Sequence, residues 1–212
     1  MASLKPVLYS SWSSSCSWRV RIVMNFKGLG YDLKPISLAD DEQHDEEFLK
    51  INPLGFVPAL KLHDRVLIDS YNIMIYLEEN RFGYKLIPED NDEKIKVREI
   101  VLLIVCSIQP IQNTGVLKKL DDYEEWPKFW IAKGFKALEA ILSKTAGKYC
   151  VGDKITMADV CLVPQVFNAR KYKVEVEDYP LIVRIDKELE NHPCFSSTHP
   201  YKQPDYPGNK TN

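Results

Sequence analysis

The alternation of strand-like and helix-like segments stops near residue 81, and this change restricts the fold of the chain more than any other feature. Before it, short apolar runs with strand character alternate with segments of helical periodicity, and after it nearly every segment is helical. Such a pattern predicts an α/β domain followed by an all-α domain. We expect the first domain at residues 4–81, a linker at 82–92 and the helical domain at 93–212.

The first domain has the predicted order β-α-β-α-β-β-α. Strands are expected at residues 7–10, 31–37, 59–62 and 65–68, and helices at 16–27, 40–50 and 70–79. A helical crossover joins the first two strands, so these should be parallel. The last two strands are separated by two polar residues, which is typical of a tight antiparallel hairpin. This is the order of a thioredoxin-like fold.

The second domain has predicted helices near residues 92–120, 124–145, 156–170 and 180–190, followed by a Pro-rich tail. Pro110 should kink the first of these helices, because proline lacks the amide hydrogen that a helix interior needs. Thr156 and Asp159 have the spacing of a capping box at a helix start. We therefore assign these two residues to folding rather than to catalysis.

The composition excludes several classes of protein. Apolar residues make up 45% of the 212 residues and charged residues 27%, which is ordinary for a globular protein. The 28 Lys and Arg residues nearly balance the 30 Asp and Glu residues, giving a formal charge of -2. Because this balance produces no strong field, we expect no binding to nucleic acid or to an anionic membrane.

Two further expectations concern location. The longest uninterrupted apolar run, residues 100–106, is much shorter than the roughly 20 residues that span a bilayer, so we expect no membrane span. The first residues lack the apolar core of a secretory signal, which favours a cytoplasmic protein.

The cysteines and histidines show no spacing typical of a metal site. Five cysteines form an odd, widely spread set, as expected for reduced thiols. The four histidines are also isolated from one another, and we expect no metal.

Ser13, Ser14, Ser15 and Cys16 lie directly between the first strand and the first helix. Free amides at a helix start, together with the helix dipole, attract negative charge. One serine would be sufficient as an N-cap, but three serines and a cysteine exceed what a cap requires. The group therefore predicts stabilisation of a thiolate. No second cysteine stands three residues away, so a thioredoxin-type dithiol is excluded.

Residues 14–22, with the sequence SSCSWRVRI, resemble the signature of the zeta class of glutathione transferases. The similarity covers essentially the whole chain. Further matches lie at residues 52–53, 57–58, 76–79, 108–110, 151–153, 156–159, 162–165 and 199–200.

This resemblance implies both a fold and an activity. It implies a thioredoxin-like N-terminal domain, an all-helical C-terminal domain and a homodimer. The implied reaction is the glutathione-dependent isomerisation of maleylacetoacetate to fumarylacetoacetate, a step of tyrosine and phenylalanine catabolism. Transferase activity toward small electrophiles, such as α-halo acids, is implied as well.

The resemblance also implies roles for individual residues. Ser14 would donate its hydroxyl to the glutathione sulfur, and Ser15 and Cys16 would complete the thiol pocket. Val57, before a cis Pro58, would offer its backbone to the cysteinyl unit, and Ser70 would hold the γ-glutamyl carboxylate. The implied glutathione contacts are Ser17, Trp18, Arg19, Gln43, Val57, Pro58, Asp69, Ser70, Gln109, Asn113, Thr114 and Gly115.

The positions that would contact the substrate depart from the family pattern. The substrate-contacting arginine of the family falls on Lys171, with Arg170 one place earlier, and the usual glutamine falls on Asp69. A dianionic substrate needs cations, for which Arg19, Arg170 and Lys171 are the candidates. An ion pair within the first helix explains Arg19 equally well.

Three alternatives to the isomerase stay open at this point. The chain could be a general glutathione transferase without isomerase activity, or a thiol reductase that uses Cys16 as its nucleophile. It could also be a noncatalytic protein that keeps the glutathione transferase fold. The presence of Ser14, Ser15 and Cys16 together argues against the last.

Overall fold

The computed structural model describes residues 5–63, 65–120 and 123–209. Its backbone contacts divide the chain into two compact units. The first runs to Tyr84 and also includes the segment from Pro193 onward, and the second is Lys85–His192. This grouping differs from the division expected from the sequence, which assigns every residue after 92 to the helical domain.

The first unit contains a four-stranded mixed sheet with the order β2-β1-β3-β4. Its strands are β1 at Val7–Ser10, β2 at Asp32–Pro35, β3 at Ala59–Leu62 and β4 at Arg65–Ile68. β1 and β2 are parallel, whereas β3 is antiparallel to both β1 and β4. The predicted thioredoxin-like arrangement is confirmed.

The helices of this unit are α1 at Ser15–Phe26, α2 at Glu46–Leu49 and α3 at Ser70–Asn80. The helix expected at residues 40–50 is divided into a 3₁₀ turn, Glu42–His44, and the short α2. Asp41 has a φ of 60°, a left-handed conformation that cannot continue a helix. The second strand is also shorter than predicted and lies at the edge of the sheet.

Apolar side chains cover both faces of the sheet. Because side chains alternate along a strand, Leu8 and Tyr9 of β1 point to opposite faces. Leu8 is buried, and so are Val20, Ile22, Val23, Met24, Ile73, Met74 and Leu77 of α1 and α3. Tyr9 belongs to a second cluster with Ile36, Phe48, Val57 and Ala59. The end of β1 is therefore fixed from two sides, directly before α1.

The second unit is helical. Its α-helices are α4 at Asn91–Leu102, α5 at Thr114–Leu117, α6 at Glu125–Thr145, α7 at Met157–Lys171 and α8 at Pro180–Glu190. α7 is buried over most of its circumference and packs against α4, α6 and α8. A helix with apolar residues on all sides is typical of a core element, and α7 is the centre of this unit.

The helix predicted at residues 92–120 is interrupted, as Pro110 indicates. α4 ends at Leu102 and is followed by a π-helical turn, Leu103–Ile108, in which the Gln109 amide donates to the Ile104 carbonyl at 2.9 Å. A 3₁₀ turn then begins at Pro110. The break is confirmed, but the π-turn before it was not predicted.

Thr156 and Asp159 form the expected capping box at the start of α7. Asp159 is fully buried, and its carboxylate accepts hydrogen bonds from the amides of Thr156 at 2.7 Å and Cys150 at 2.9 Å. Burial raises the pKa of Asp159 because the loss of solvation outweighs these hydrogen bonds. Asp159 thus joins the helix start to the preceding loop.

The C-terminal segment consists of α9 at Pro193–Ser196 and 3₁₀ turns at Pro200–Lys202 and Pro207–Asn209. Phe195 is buried and contacts the ring of Phe26, and the hydroxyl of Thr198 accepts a hydrogen bond from the Trp18 indole at 3.0 Å. These contacts with α1 explain why the segment groups with the first unit.

One helical stretch in the described part of the chain, Asn91–Leu117, has the length and apolar composition of a membrane-crossing helix. This is weak evidence, since core helices of water-soluble proteins share these properties. The stretch contains the π-turn and the break at Pro110, and it buries Val97, Ile100 and Ile104. The prediction of no membrane span rests on the length of uninterrupted apolar runs. It does not take into account a helix whose apolar residues are interrupted by polar ones.

Replacing Asp159 tests the importance of the buried cap. We expect Asp159→Ala to lower the free energy of unfolding by about 2–4 kcal/mol, because buried amides lose their acceptor. Asp90→Ala is the matched control, since Asp90 caps the exposed start of α4. It should cost about 0.5–1 kcal/mol. Urea unfolding measures the free energy of unfolding of both variants. Equal losses would show that burial does not make the Asp159 cap more important than the exposed one.

Candidate active site

The start of α1 brings together the serines that the sequence singled out. Ser14 is the N-cap, and its hydroxyl oxygen accepts a hydrogen bond from the Ser17 amide at 3.1 Å. A hydroxyl that accepts through its oxygen still carries a hydrogen that it can donate. Ser14 is therefore the one serine of the group that caps the helix, which begins one residue earlier than predicted, and it keeps a donor for a group bound in front of it.

Ser15 and Cys16 form the first turn of α1 behind this cap. Ser15 is buried and Cys16 is half-buried. The Cys16 Sγ accepts a hydrogen bond from the Arg19 Nη2 at 3.5 Å. The amides of a first helical turn carry partial positive charge, and the guanidinium adds a full one. The start of α1 is thus suited to a negatively charged sulfur.

Arg19 is only 1% exposed. Across the described ranges its Nε and Nη1 atoms have no hydrogen-bond partner, and no carboxylate pairs with its guanidinium. The ion pair considered for Arg19 in the sequence analysis is therefore not formed with any described residue. A buried cation without a counterion favours an anion close to it.

Ser17 and Trp18 make contacts that hold α1 in place. Both are buried, and the Ser17 hydroxyl accepts from the Ser11 amide at 3.5 Å. The Trp18 indole donates to Thr198. These side chains support the helix start, so any contact of theirs with a ligand must come from the backbone.

The segment before β3 has the second set of predicted site residues. The Val57–Pro58 peptide bond is cis, as the resemblance implies. In the described structure neither the amide nor the carbonyl of Val57 takes part in a backbone hydrogen bond. Asn52 stabilises the preceding turn by donating to the Phe56 carbonyl at 2.6 Å and accepting from the Leu54 amide at 3.2 Å. The amide and carbonyl of Val57 are therefore available to hydrogen-bond with an extended peptide.

Gln43 lies against this turn. Gly55 has a φ of 67°, and a Cβ atom there would stand 3.0 Å from the Gln43 carbonyl oxygen, so the close approach requires glycine. The Gln43 side chain is buried, and its Nε2 donates to the Asp41 carboxylate at 2.7 Å. Its Oε1 has no hydrogen-bond partner among the residues described. Gln43 therefore has an unused acceptor.

Asp69 and Ser70 form the start of α3. Asp69 has a φ of 66°, and its Oδ1 accepts from the amides of Tyr71 at 2.8 Å and Asn72 at 3.2 Å. Asp69 is thus the N-cap, and its second carboxylate oxygen is not used in the cap. Ser70 is buried at the first position of the helix. Together they place a carboxylate and a hydroxyl at one helix start.

Four of the predicted glutathione contacts lie in the second unit. Gln109 ends the π-turn, and Asn113 caps α5 by accepting from the Gly115 amide at 2.8 Å. Thr114 and Gly115 are exposed. The structure also has a buried pair that was not predicted, in which the Gln112 side chain donates to Gln165 at 2.7 Å. No sequence signal links these two glutamines, since they stand on separate helical segments.

Arg170 and Lys171 differ sharply in their surroundings at the end of α7. Arg170 donates to the Asp186 carboxylate at 2.7 Å. Lys171 has no ion pair within the described residues, and its Nζ lies 5.6 Å from the centre of the Tyr172 ring. Burial lowers the pKa of Lys171. The charge of Arg170 is used inside the fold, whereas that of Lys171 is not.

Within residues 5–63, 65–120 and 123–209, no group of three or more His, Cys, Asp or Glu residues is arranged to hold a metal ion.

Comparison with known protein families agrees with this fold. Residues 13–80 match the model of the glutathione S-transferase N-terminal domain, and residues 114–196 match that of the C-terminal domain. The chain therefore belongs to the glutathione S-transferase family.

Individual relatives identify the class within this family. The chain is 53% identical to a probable maleylacetoacetate isomerase 2 of Drosophila melanogaster, over 97% of this chain and 92% of that one. The solved structure of a maleylpyruvate isomerase, described as a bacterial zeta-class glutathione S-transferase, is 36% identical, with a TM-score of 0.91 over 94% of this chain and 99% of that one. Within the family, the chain is a member of the zeta class.

A further solved structure contains bound ligands. It is a maleylacetoacetate isomerase from Methylobacterium extorquens AM1 with bound malonate and glutathione, 32% identical to this chain. Its TM-score is 0.91, and the match covers 95% of this chain and 99% of that one.

Proposed function

We propose that this chain catalyses the glutathione-dependent cis-trans isomerisation of maleylacetoacetate to fumarylacetoacetate, a step in the catabolism of tyrosine and phenylalanine. Relatives that carry the name of this isomerase support the proposal. The observation that carries it is the start of α1, where the Ser14 cap, the first-turn amides and the buried Arg19 favour an anion. Transfer of glutathione to small electrophiles, such as α-halo acids, uses the same thiolate.

Glutathione is an anionic tripeptide with a free ammonium group, and the start of α3 fits its γ-glutamyl end. A carboxylate is bound favourably at a helix N-terminus, where Ser70 adds a hydroxyl. The Asp69 carboxylate oxygen that is not used in the cap fits the ammonium group. We propose that Ser70 and Asp69 hold the two charges of this end.

The remaining peptide part of glutathione fits the segment before β3. An extended peptide pairs with unused backbone groups as an added strand would, and Val57 offers both an amide and a carbonyl. The unpartnered Oε1 of Gln43 fits an amide hydrogen near the glycyl end. We propose that Val57 and Gln43 orient the tripeptide, with Pro58 fixing the backbone direction.

Replacing Asp69 by Asn separates its charge from its role in the fold. Asn caps helices as well as Asp and tolerates a positive φ, so Asp69→Asn should change the free energy of unfolding by less than about 0.5 kcal/mol. Loss of the charge should raise the Kd of glutathione by about 5-fold, measured by calorimetry. Asp69→Ala is the control and should lose both stability and affinity. Unchanged affinity in Asp69→Asn would remove Asp69 from the ammonium site.

When bound, glutathione supplies a thiolate that adds to the cis double bond and leaves after rotation has given the trans isomer. A free thiol titrates near about 8.5, so lowering its pKa by about two requires about 2.7 kcal/mol. A hydrogen bond to a charged group contributes roughly 1.5–3 kcal/mol, and a helix terminus about 0.3–1 kcal/mol. Ser14 and the start of α1 can therefore supply the required stabilisation, and the charge of Arg19 adds to it.

Ser14→Ala should remove the hydroxyl donor and raise the pKa of the bound glutathione thiol by about 1 to 2. Turnover at neutral pH should fall accordingly, while glutathione still binds. The measurement is thiolate absorbance as a function of pH in the glutathione complex.

Two control variants accompany this measurement. Ser13→Ala removes a neighbouring hydroxyl that has no role in the cap, and Ser14→Thr keeps the donor and the cap. Both should keep the wild-type thiol pKa. If the thiol pKa in Ser14→Ala is unchanged, Ser14 is a structural cap only, and thiolate stabilisation moves to Ser15 or Cys16.

The dicarboxylate substrate needs a cation whose charge is not already used. Arg170 is paired with Asp186, whereas Lys171 has no carboxylate partner in the described ranges. Partial desolvation lowers the pKa of Lys171, and an anion bound beside it would favour the charged form. We propose that Lys171 binds a substrate carboxylate and that Arg170 stabilises the end of α7. The buried Arg19 acts through its field on the thiolate at the start of α1.

Lys171→Ala should lower kcat/KM for the dicarboxylate by about 10- to 150-fold, because a charge-assisted contact is worth roughly 1.5–3 kcal/mol. Conjugation of an uncharged electrophile should change by less than about twofold. Lys171→Arg should restore much of the activity. Arg170→Ala is the matched neighbour, and it should lower stability while affecting both substrates alike. Equal loss for both substrates in Lys171→Ala would mean that Lys171 is structural.

Thiol reduction by Cys16 is the second candidate function, because the Arg19 guanidinium lies 3.5 Å from the Cys16 sulfur. A spectroscopic assay of glutathione-dependent conversion of maleylacetone tests the isomerase directly. If Cys16→Ser keeps this conversion, the reductase role is not needed for it. If the wild-type protein conjugates electrophiles but does not isomerise, the chain is a general glutathione transferase.

We also propose a homodimer in the cytoplasm, on the strength of the family resemblance. Exposed apolar side chains on α4, among them Ile95 and Leu102, support an interface there.

A further inference from the structure

The loop between β1 and α1 determines where the Ser14 hydroxyl stands. This loop, residues 11–14, is called the site loop below. It closes on itself through a hydrogen bond from the Ser14 amide to the Ser11 carbonyl at 3.2 Å, and Ser11 also donates to Ser17. Its side chains are a tryptophan and serines, so the loop has little apolar core of its own. Its position depends on what holds it from outside.

The C-terminal segment supplies one outside contact. The Asp205 Oδ2 accepts a hydrogen bond from the Trp12 amide at 2.8 Å. The Trp12 ring packs edge-on against Tyr206, with ring centres 4.9 Å apart, and also lies near Tyr201 at 6.4 Å. Residues 198–206 therefore contact both the backbone of the site loop and its one large side chain. We call these residues the C-terminal clamp.

Arg21 supplies the second outside contact. Its guanidinium is buried and donates to the Ser10 hydroxyl at 2.9 Å and to the Ser11 carbonyl at 3.2 Å. It also donates to the Thr198 carbonyl, at 3.3 Å, in the C-terminal clamp. Burial lowers the pKa of Arg21 to about 10, and the negative charge of Asp205 opposes this effect. A cation and an anion thus hold neighbouring residues of the same short loop.

We propose that Asp205 is a positioning residue for the thiol site, and that it fixes the Trp12 amide and so the direction of the Ser14 hydroxyl. The role in thiol binding rests on the function proposed above, whereas the control of the site loop does not.

The surroundings of Asp205 indicate a local rather than a global role. Asp205 is half-buried on a segment of short turns, and the apolar core of the first unit lies in β1, α1 and α3. If the Asp205 side chain is removed, Arg21 still holds the start of the site loop. We therefore expect variants at position 205 to fold.

Three variants test the proposal. Asp205→Ala removes the acceptor of the Trp12 amide, and Asp205→Asn keeps an acceptor oxygen but removes the charge. Lys202→Ala is the matched control, because Lys202 is exposed on the same segment and no side-chain contact of it is described. Circular dichroism establishes that each protein is folded.

Hydrogen exchange in the ligand-free protein measures the site loop itself. In Asp205→Ala, exchange of the Trp12 amide should be about 10-fold faster than in the wild type, because a charge-assisted hydrogen bond is lost. The Kd of glutathione should rise by about 3- to 10-fold, since the thiol site is less ordered before binding. In Asp205→Asn, both the exchange of the Trp12 amide and the Kd of glutathione should stay close to the wild-type values. Lys202→Ala should change neither quantity.

Two results would overturn the proposal. If Trp12 exchange in Asp205→Ala equals that of the wild type, Asp205 does not hold the loop. If exchange is faster but glutathione affinity is unchanged, the C-terminal clamp is structural and positions nothing in the thiol site. Neither measurement requires isomerase activity, so a wild-type protein that fails to isomerise maleylacetone contradicts the proposed function and leaves this inference standing.

Discussion

A buried guanidinium, that of Arg21, connects the parts of the first unit on which the site depends. It lies in the middle of α1 and binds oxygens of Ser10, Ser11 and Thr198, which belong to β1, the following loop and the C-terminal segment. A desolvated cation is costly unless hydrogen bonds compensate it, so these oxygens have little freedom to move. The start of α1 is therefore rigid before any ligand arrives.

Rigidity at the helix start matters because the chemistry requires a prepared environment for an anion. Stabilising a thiolate by fixed donors costs nothing further at the moment of reaction, whereas mobile donors would first have to be ordered. The Ser14 hydroxyl oxygen is held by the hydrogen bond that it accepts from the Ser17 amide, and its hydrogen stays available as a donor. In the proposed function, the helix cap and the thiol site are thus one arrangement of the same atoms.

Local patterns predicted much of this structure. The hairpin of β3 and β4, a serine cap before α1 and the capping box of α7 depend on residues that are near one another in sequence, so their chemistry can be interpreted directly. The contacts that were missed join distant residues. Thr198 and Asp205 meet the β1–α1 connection only after the whole chain has folded, and no periodicity indicates such pairs. The π-turn before Gln109 also lacks a simple residue signature.

Ser14 is the N-cap of α1 and, in the proposed function, also contacts the glutathione sulfur. These two roles limit how the protein can be stabilised. Aspartate is among the best N-cap residues, and its charge favours the positive end of a helix dipole, so Ser14→Asp would suit the helix. The same carboxylate would stand where an anionic sulfur must be held, and the two negative charges would repel each other. Selection for heat resistance alone would thus favour a change that removes the chemistry, because the most favourable cap at this position is incompatible with a thiolate.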